Sequence, residues 1–239
     1  MDWVVLLVVG LAIFCGFFVQ TIIGFAASVV AVPIILSVCK LQDAVAIMAI
    51  LLFVFSFILV LKNYKEIDKK MLLEMGIGII LGIIVGVVVL RHANPIILQK
   101  GLGVFVVLYA LYSLNKQKTI EVFKKLGLLF GFVGGIFSGL YTTGGPVYVT
   151  YITNRLSKAS NLRATIIGVM GVSNLARLPI LFANNLVPFH CIKIATFVFP
   201  LFVLSLYLGH IVYPKINECL FKRIVLAVLL ISGLLLIVK

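Results

Sequence analysis

A chain of 239 residues that is 63% hydrophobic and 11% charged, with a mean hydropathy of +1.28, has too little polar surface to clothe a soluble globule. At roughly 20 apolar residues per span, nearly all of it is expected in a bilayer, with no room left for a soluble domain. The net charge of +13 is scattered over short connectors instead of gathered into a basic patch with interleaved aromatics, so it reads as membrane orientation and argues against nucleic acid as a partner.

The N-terminus, Met1-Asp2-Trp3, runs directly into apolar residues. It lacks the basic region and small-residue cleavage site of a signal peptide and is expected to be retained. Apolar segments follow at 3–38, 44–61, 71–90, 95–114, 126–153, 162–183, 188–213 and 219–238. Two are overlong. The first would make a straight helix of about 54 Å against a hydrocarbon core of about 30 Å. The fifth is interrupted midway by Thr142-Thr143-Gly144-Gly145-Pro146, where proline removes a backbone donor and the glycines favour non-helical geometry. Broken backbone at membrane depth survives only where protein or a water-filled cavity receives its polar groups. Each long segment is therefore predicted to be a helical hairpin, re-entrant or crossing twice.

A shift of 115 residues lays Gly16 on Gly131 and Gly24 on Gly139, bringing both long segments into register. The expected fold is an all-α integral membrane protein of two inverted-topology repeats, 1–115 and 116–239, each a broken helical hairpin followed by three transmembrane helices. Charge counting favours hairpins. If both long segments return to the side they entered from, Lys62, Lys65, Lys69, Lys70, Lys116, Lys118, Lys124, Lys125, Arg155, Lys158, Arg163, Lys215, Lys222 and Arg223 face inward, against Lys40, Arg91, Lys100, Lys193 and Lys239 outward. Both termini then lie outside, and such repeats place a binding site near the midplane where broken helices meet. Gly78, Gly82 and Gly86 form a close-packing face in the third span, while Gly127, Gly131, Gly135 and Gly139 are expected to pack the two arms of the second hairpin together.

No carboxylate lies deep in an apolar segment: Asp2, Asp43, Glu66, Asp68, Glu121 and Glu218 are at connectors and Glu74 is within a turn of a segment start. A proton- or cation-coupled carrier of the usual kind wants an intramembrane acid, so an anion is the better cargo. Arg177 is the single basic residue placed inside a span. It either snorkels to the interface or faces an anion with Asn174, one turn earlier on the same helical face. Pro179 is expected to open that helix near residue 175.

At the hairpin tips, half-helix N-termini present amides suited to an oxyanion. The substrate-binding candidates at the second tip are Gly144, Gly145 and Pro146 for close backbone approach, Thr142 and Thr143 as hydroxyl donors, and Tyr141 and Tyr148 as lining. Gln20, Thr21, Gly24 and Ser28 occupy the analogous region of the first. Taken singly, each of these polar groups reads more readily as a packing or backbone-satisfying residue, and their convergence at both tips is what points to a ligand. His210 is a candidate for gating or proton passage. Cys15, Cys39, Cys191 and Cys219 are isolated, without a CxxC or a histidine at ligand spacing, so neither a metal nor a cofactor is expected.

Four stretches carry a resemblance: Gln20-Thr21-Ile22-Ile23-Gly24-Phe25 on to Val30-Ala31-Val32-Pro33; Gly139-Leu140-Tyr141-Thr142-Thr143-Gly144-Gly145-Pro146; Leu162-Arg163-Ala164-Thr165; and Asn174-Leu175-Ala176-Arg177-Leu178-Pro179. In this order the chain resembles the TauE/SafE family of membrane permeases over essentially its whole length. The resemblance implies a multi-pass transporter in a bacterial inner (plasma) membrane, carrying sulfite, sulfonates or related organic anions. The family pattern often has glycine where this chain has Ala26 and Thr142, so both tips depart from it. The expectation is export of a small anion by alternating access, with lipid and the anion as partners and a homodimer as a further possible assembly. A structural or assembly subunit without transport, and an intramembrane enzyme, are the alternatives. The enzyme would want paired cysteines, metal-spaced histidines or a nucleophile with a base, none of which the sequence offers.

Overall fold

The computed structural model describes residues 3–114, 126–153, 155–156, 159–213 and 218–238, and helices are the regular elements among them. In chain order these are α1 (Trp3–Ile23), α2 (Ala27–Ile35), α3 (Leu41–Asn63), α4 (Lys69–His92), α5 (Pro95–Leu114), α6 (Gly127–Tyr141), α7 (Gly145–Thr153), α8 (Ala159–Ala183), α9 (Phe189–Val212) and α10 (Glu218–Val238). Five of the described helices, α1, α3, α4, α8 and α9, are long and apolar enough to cross a membrane.

Both overlong segments are broken. Helix α1 ends at Gly24, whose φ of +100° only glycine adopts freely and whose N–H bonds the Gln20 carbonyl at 2.7 Å. Helix α6 ends at Thr142, a β-branched residue held at φ 60°, with the N–H groups of Thr142 and Thr143 folded back onto the Ser138 and Phe137 carbonyls. The returning arms α2 and α7 have nine residues each, about 13 Å of helix, which is less than half the apolar thickness of a bilayer. Pro179 does not open α8 as expected. The helix continues across it, because the neighbouring turns hold the axis while one backbone bond is forgone.

The chain condenses into two units. One holds Met1–Met48, Ala93–Gln117 and Pro188–Lys239; the other holds Ala49–His92 and Lys118–Val187. Each draws on both halves of the sequence. The expected repeat boundary at 115–116 lies outside the described residues, as do Asp2, Glu121, Pro214, Lys116, Lys118, Lys124, Lys125, Lys158, Lys215, Lys239 and the side chains of Glu218, Cys219, Lys222 and Arg223.

Within the first unit, Gly16 brings α1 against the Ala27 carbonyl and the Ala31 side chain of α2. The rings of Phe17 and Phe202 meet edge to face at 4.6 Å between α1 and α9. Helices α5 and α10 close on each other at Gly103 and Gly233.

The second unit is organised by glycine. A Cβ on Gly78, Gly82 or Gly86 of α4 would run into the backbone of Leu128, Phe132 or Ile136 on α6. Reciprocally, one on Gly131, Gly135 or Gly139 would strike Met75, Ile79 or Ile83 of α4. Gly131, Gly135 and Gly139 of α6 therefore pack against α4 and not, as expected, against the returning arm; of the four expected glycines only Gly127 faces that arm, at the Tyr151 hydroxyl, with Glu74 of α4 beside it. That arm uses Gly134, which together with Gly144 receives the Tyr148 ring. Opposite its glycine face, α4 exposes Leu73, Ile77, Leu81, Ile84, Val85 and Val88, the side chains of a lipid-facing surface.

Candidate functional site

The second unit contains one connected set of buried polar side chains. Arg177 of α8 is fully buried, and its Nη1 donates to Ser138 Oγ at 2.9 Å and to the Ser138 carbonyl at 3.3 Å, while Nη2 donates to Asn174 Oδ1 at 2.9 Å. Asn174 Nδ2 in turn donates to Ser56 Oγ of α3 at 2.7 Å. The Ser138 and Ser173 hydroxyls are 2.6 Å apart, and Tyr148 Oη of α7 meets Ser173 Oγ at 3.2 Å. The network thus ties α3, α6, α7 and α8 together.

Two things about it are unfinished. Of the five guanidinium donors three are engaged, and Nε stands buried without a hydrogen-bond partner. The Thr143 hydroxyl, 1% exposed, is the other buried side-chain donor without a partner among the described residues. No carboxylate pairs with Arg177 among the described residues. A cation taken out of water without a counter-charge costs several kcal/mol, roughly, and neutral serine and asparagine dipoles recover part of that. The set is therefore electrostatically open to an anion.

The tip beside it has free backbone donors. Gly144 accepts the N–H groups of Val147 and Tyr148 at its carbonyl, which starts α7. The N–H groups of Gly144 and Gly145 bond no carbonyl among the described residues. Gly144 has no room for a side chain, since a Cβ would meet the Gly134 carbonyl, Ser138 Cβ and the Tyr148 ring. Ser138, the anchor of Arg177, thus also flanks the tip. Tyr141 is buried on the last turn of α6, and Pro146 in the first turn of α7. The Thr142 hydroxyl is spent on the Tyr141 carbonyl.

The first-tip candidates lie in the other unit and are largely satisfied. Gln20 is buried and its Oε1 accepts the Ala27 N–H at 2.9 Å, capping α2. Thr21 Oγ1 donates to the Phe17 carbonyl at 2.8 Å, and its side chain packs on Gly209. Ser28 is buried in the first turn of α2, and Gly24 opens onto free space. His210 is exposed near the end of α9. Ser56, Ser138 and Ser173 escaped the sequence reading. Ser173 had a usable signal, since it stands four residues before Arg177 on the same helical face. Ser56 had none, lying 118 residues from its partner Asn174.

Outside the spans, Arg155 follows α7 and pairs with Tyr151 Oη at 2.8 Å and with Glu74 of α4. The Tyr151 hydrogen bond, more than Glu74, raises its guanidinium above the usual arginine value.

All-helical, with five described helices apolar enough to span and an arginine buried within one of them, this is a multi-pass membrane protein. Residues 8–236 match the family described as Sulfite exporter TauE/SafE, and the chain belongs to that family of transporters. A curated relative from Cupriavidus necator, "Probable sulfite/organosulfonate exporter TauE", is 24% identical over 226 residues, covering 91% of this chain and 88% of that protein. No solved structure matches the chain.

Proposed function

We propose that the protein exports a small sulfur oxyanion, sulfite or an organosulfonate, through the inner (plasma) membrane by alternating access, with Arg177 as the group that neutralises the cargo. The observation that carries this is the fully buried guanidinium with an unmade Nε–H and no carboxylate among the described residues. Such a group is costly in an idle scaffold, so an assembly subunit without transport would have no use for it. Asn174 and Ser138 hold the guanidinium plane by hydrogen bonds. A planar fork then offers its remaining donors to two oxygens of a sulfite or sulfonate at once. The Thr143 hydroxyl and the Gly144 and Gly145 amides supply further donors, at the positively polarised start of a nine-residue half-helix. The membrane potential, negative inside, drives such an anion outward without a coupled ion. All donors come from one chain, so the reading requires no homodimer.

The two-repeat reading is part of this proposal, with a register the sequence shift did not find. Helices α2 and α7 begin at residues 27 and 145, and α3 and α8 at 41 and 159, which is an offset of 118 in both cases. The same offset relates the two left-handed residues at the breaks, Gly24 and Thr142. It supports a pair of broken hairpins followed by three helices each, as two copies of one inverted-topology repeat.

The test is efflux of radiolabelled sulfite from loaded proteoliposomes, compared with Arg177→Ala and Thr143→Val. Wild-type efflux that Arg177→Ala abolishes and Thr143→Val slows at low sulfite supports the reading. Efflux at wild-type rate from both, in folded protein, overturns the site assignment.

A further inference from the structure

In the first unit, three side chains of metal-ligating chemistry converge at the starts of α3 and α9. Asp43 sits in the first turn of α3. Its Oδ1 is 3.1 Å from His190 Nε2 and 3.5 Å from Cys191 Sγ, residues 147 and 148 positions further along the chain. The three donor atoms all lie within 4.8 Å of one another. This corrects the reading of Cys191 as an isolated thiol: His190 is its chain neighbour, and folding supplies the carboxylate.

We propose that Asp43, His190 and Cys191 form a binding site for a thiophilic divalent cation, with zinc as the reference ion. Tetrahedral zinc holds carboxylate oxygen and imidazole nitrogen at about 2.0–2.2 Å and thiolate sulfur at about 2.3 Å. At a tetrahedral angle those bonds set oxygen and nitrogen roughly 3.4 Å apart, and oxygen and sulfur roughly 3.5 Å apart. The corresponding separations here are 3.1 Å and 3.5 Å, so the two sides that meet at the Asp43 oxygen have the required size before any ion enters, and the third, from imidazole to sulfur, lies within 4.8 Å.

The charges balance as well. Without metal, the Cys191 S–H donates to the Asp43 carboxylate. On binding, that proton leaves to solvent, the sulfur lone pair goes to the metal, and thiolate and carboxylate together cancel the two charges of the ion. Neutral imidazole completes three protein donors and leaves the fourth position to water, as in open zinc sites. The thiolate selects against magnesium and calcium, which prefer oxygen alone.

Access is graded. The His190 side chain is 55% exposed, that of Asp43 23%, and Cys191 is buried, so an ion can enter at the imidazole and finish against the sulfur. Occupancy would tie the first turn of α3 to the first turn of α9.

The experiment is titration of the purified, chelator-treated full-length protein with cobalt and then zinc. Expected are one cobalt per chain, the visible bands of tetrahedral cobalt, a thiolate-to-cobalt charge-transfer band, and displacement of all of these by zinc. His190→Ala should weaken cobalt binding at least about tenfold. Cys191→Ala should abolish the charge-transfer band, and Cys15→Ala should leave it unchanged. If Cys191→Ala does not fold, Cys191→Ser keeps a hydroxyl donor to Asp43 while losing the sulfur band, and the exposed His190 gives a second benign variant. Absence of saturable cobalt binding, or spectra unaltered in the His190 and Cys191 variants, overturns the proposal.

Discussion

Arg177 donates to both the hydroxyl and the carbonyl oxygen of Ser138, a residue 39 positions earlier and one turn before the break between α6 and α7. The guanidinium is thereby fixed to the broken hairpin itself. The contact offsets part of the cost of burying the charge and holds the guanidinium in one orientation.

Replacing Arg177 with methionine should abolish transport while leaving thermal stability unchanged or raised, because an uncompensated buried charge is exchanged for apolar volume. Arg177→Lys keeps the charge but not the fork, and should slow efflux at least about tenfold. A sharp fall in melting temperature for Arg177→Met, with residual transport, would instead mark the residue as structural. Proteoliposome efflux and thermal unfolding in detergent, measured on the same preparations, separate these outcomes.

Thr143→Val removes a hydroxyl that makes no hydrogen bond in the protein. Ordinarily the loss of a buried hydroxyl costs about 1 kcal/mol, but here no bond is broken, so stability should hold or rise slightly. The apparent KM for the exported anion should rise by roughly an order of magnitude, the worth of one charge-assisted hydrogen bond. An unaltered KM would remove the hydroxyl from the site.

Thr142 is held in the left-handed region with φ 60°. For a residue with a Cβ that conformation costs about 1–2 kcal/mol, part of which glycine returns as unfolded-state entropy. Thr142→Gly should therefore stabilise the protein by up to about 1 kcal/mol, while Thr142→Val should destabilise it. Paired melting curves decide the sign.

Two glycines of one helix should behave oppositely. A side chain at Gly82 would collide with the Phe132 carbonyl of α6, so Gly82→Val should cost at least about 3 kcal/mol or prevent folding. Gly76 has nothing within 4 Å, and Gly76→Ala should be neutral or stabilising by up to about 1 kcal/mol. Expression yield and melting temperature of the two variants test the α4–α6 contact directly.

Apolar length and the Gly-Gly-Pro interruption made the element order legible, since both are local properties of the chain. The eight expected segments correspond to the ten described helices, with the first and fifth each broken in two. The partner of a glycine stripe was not legible. Gly131, Gly135 and Gly139 announce a close contact without saying whether α4 or α7 makes it, because that choice depends on which helices the connections bring together. Arg177 and Asn174 were readable because a charge inside a span is rare. The role of the Gln20 amide oxygen was not legible, because only the geometry has it capping α2. The Asp43, His190 and Cys191 cluster was invisible, since two of its members adjoin in sequence and the third is almost 150 residues away.

The hydroxyl and amide chain from Tyr148 through Ser173, Ser138, Arg177 and Asn174 to Ser56 has a mechanical corollary. A solute that pulls on the guanidinium pulls simultaneously on four helices, and no member can slide without unlinking the next. Helices α3, α6, α7 and α8 are held by these bonds as one mechanical body, so a displacement of any of them is felt by the other three.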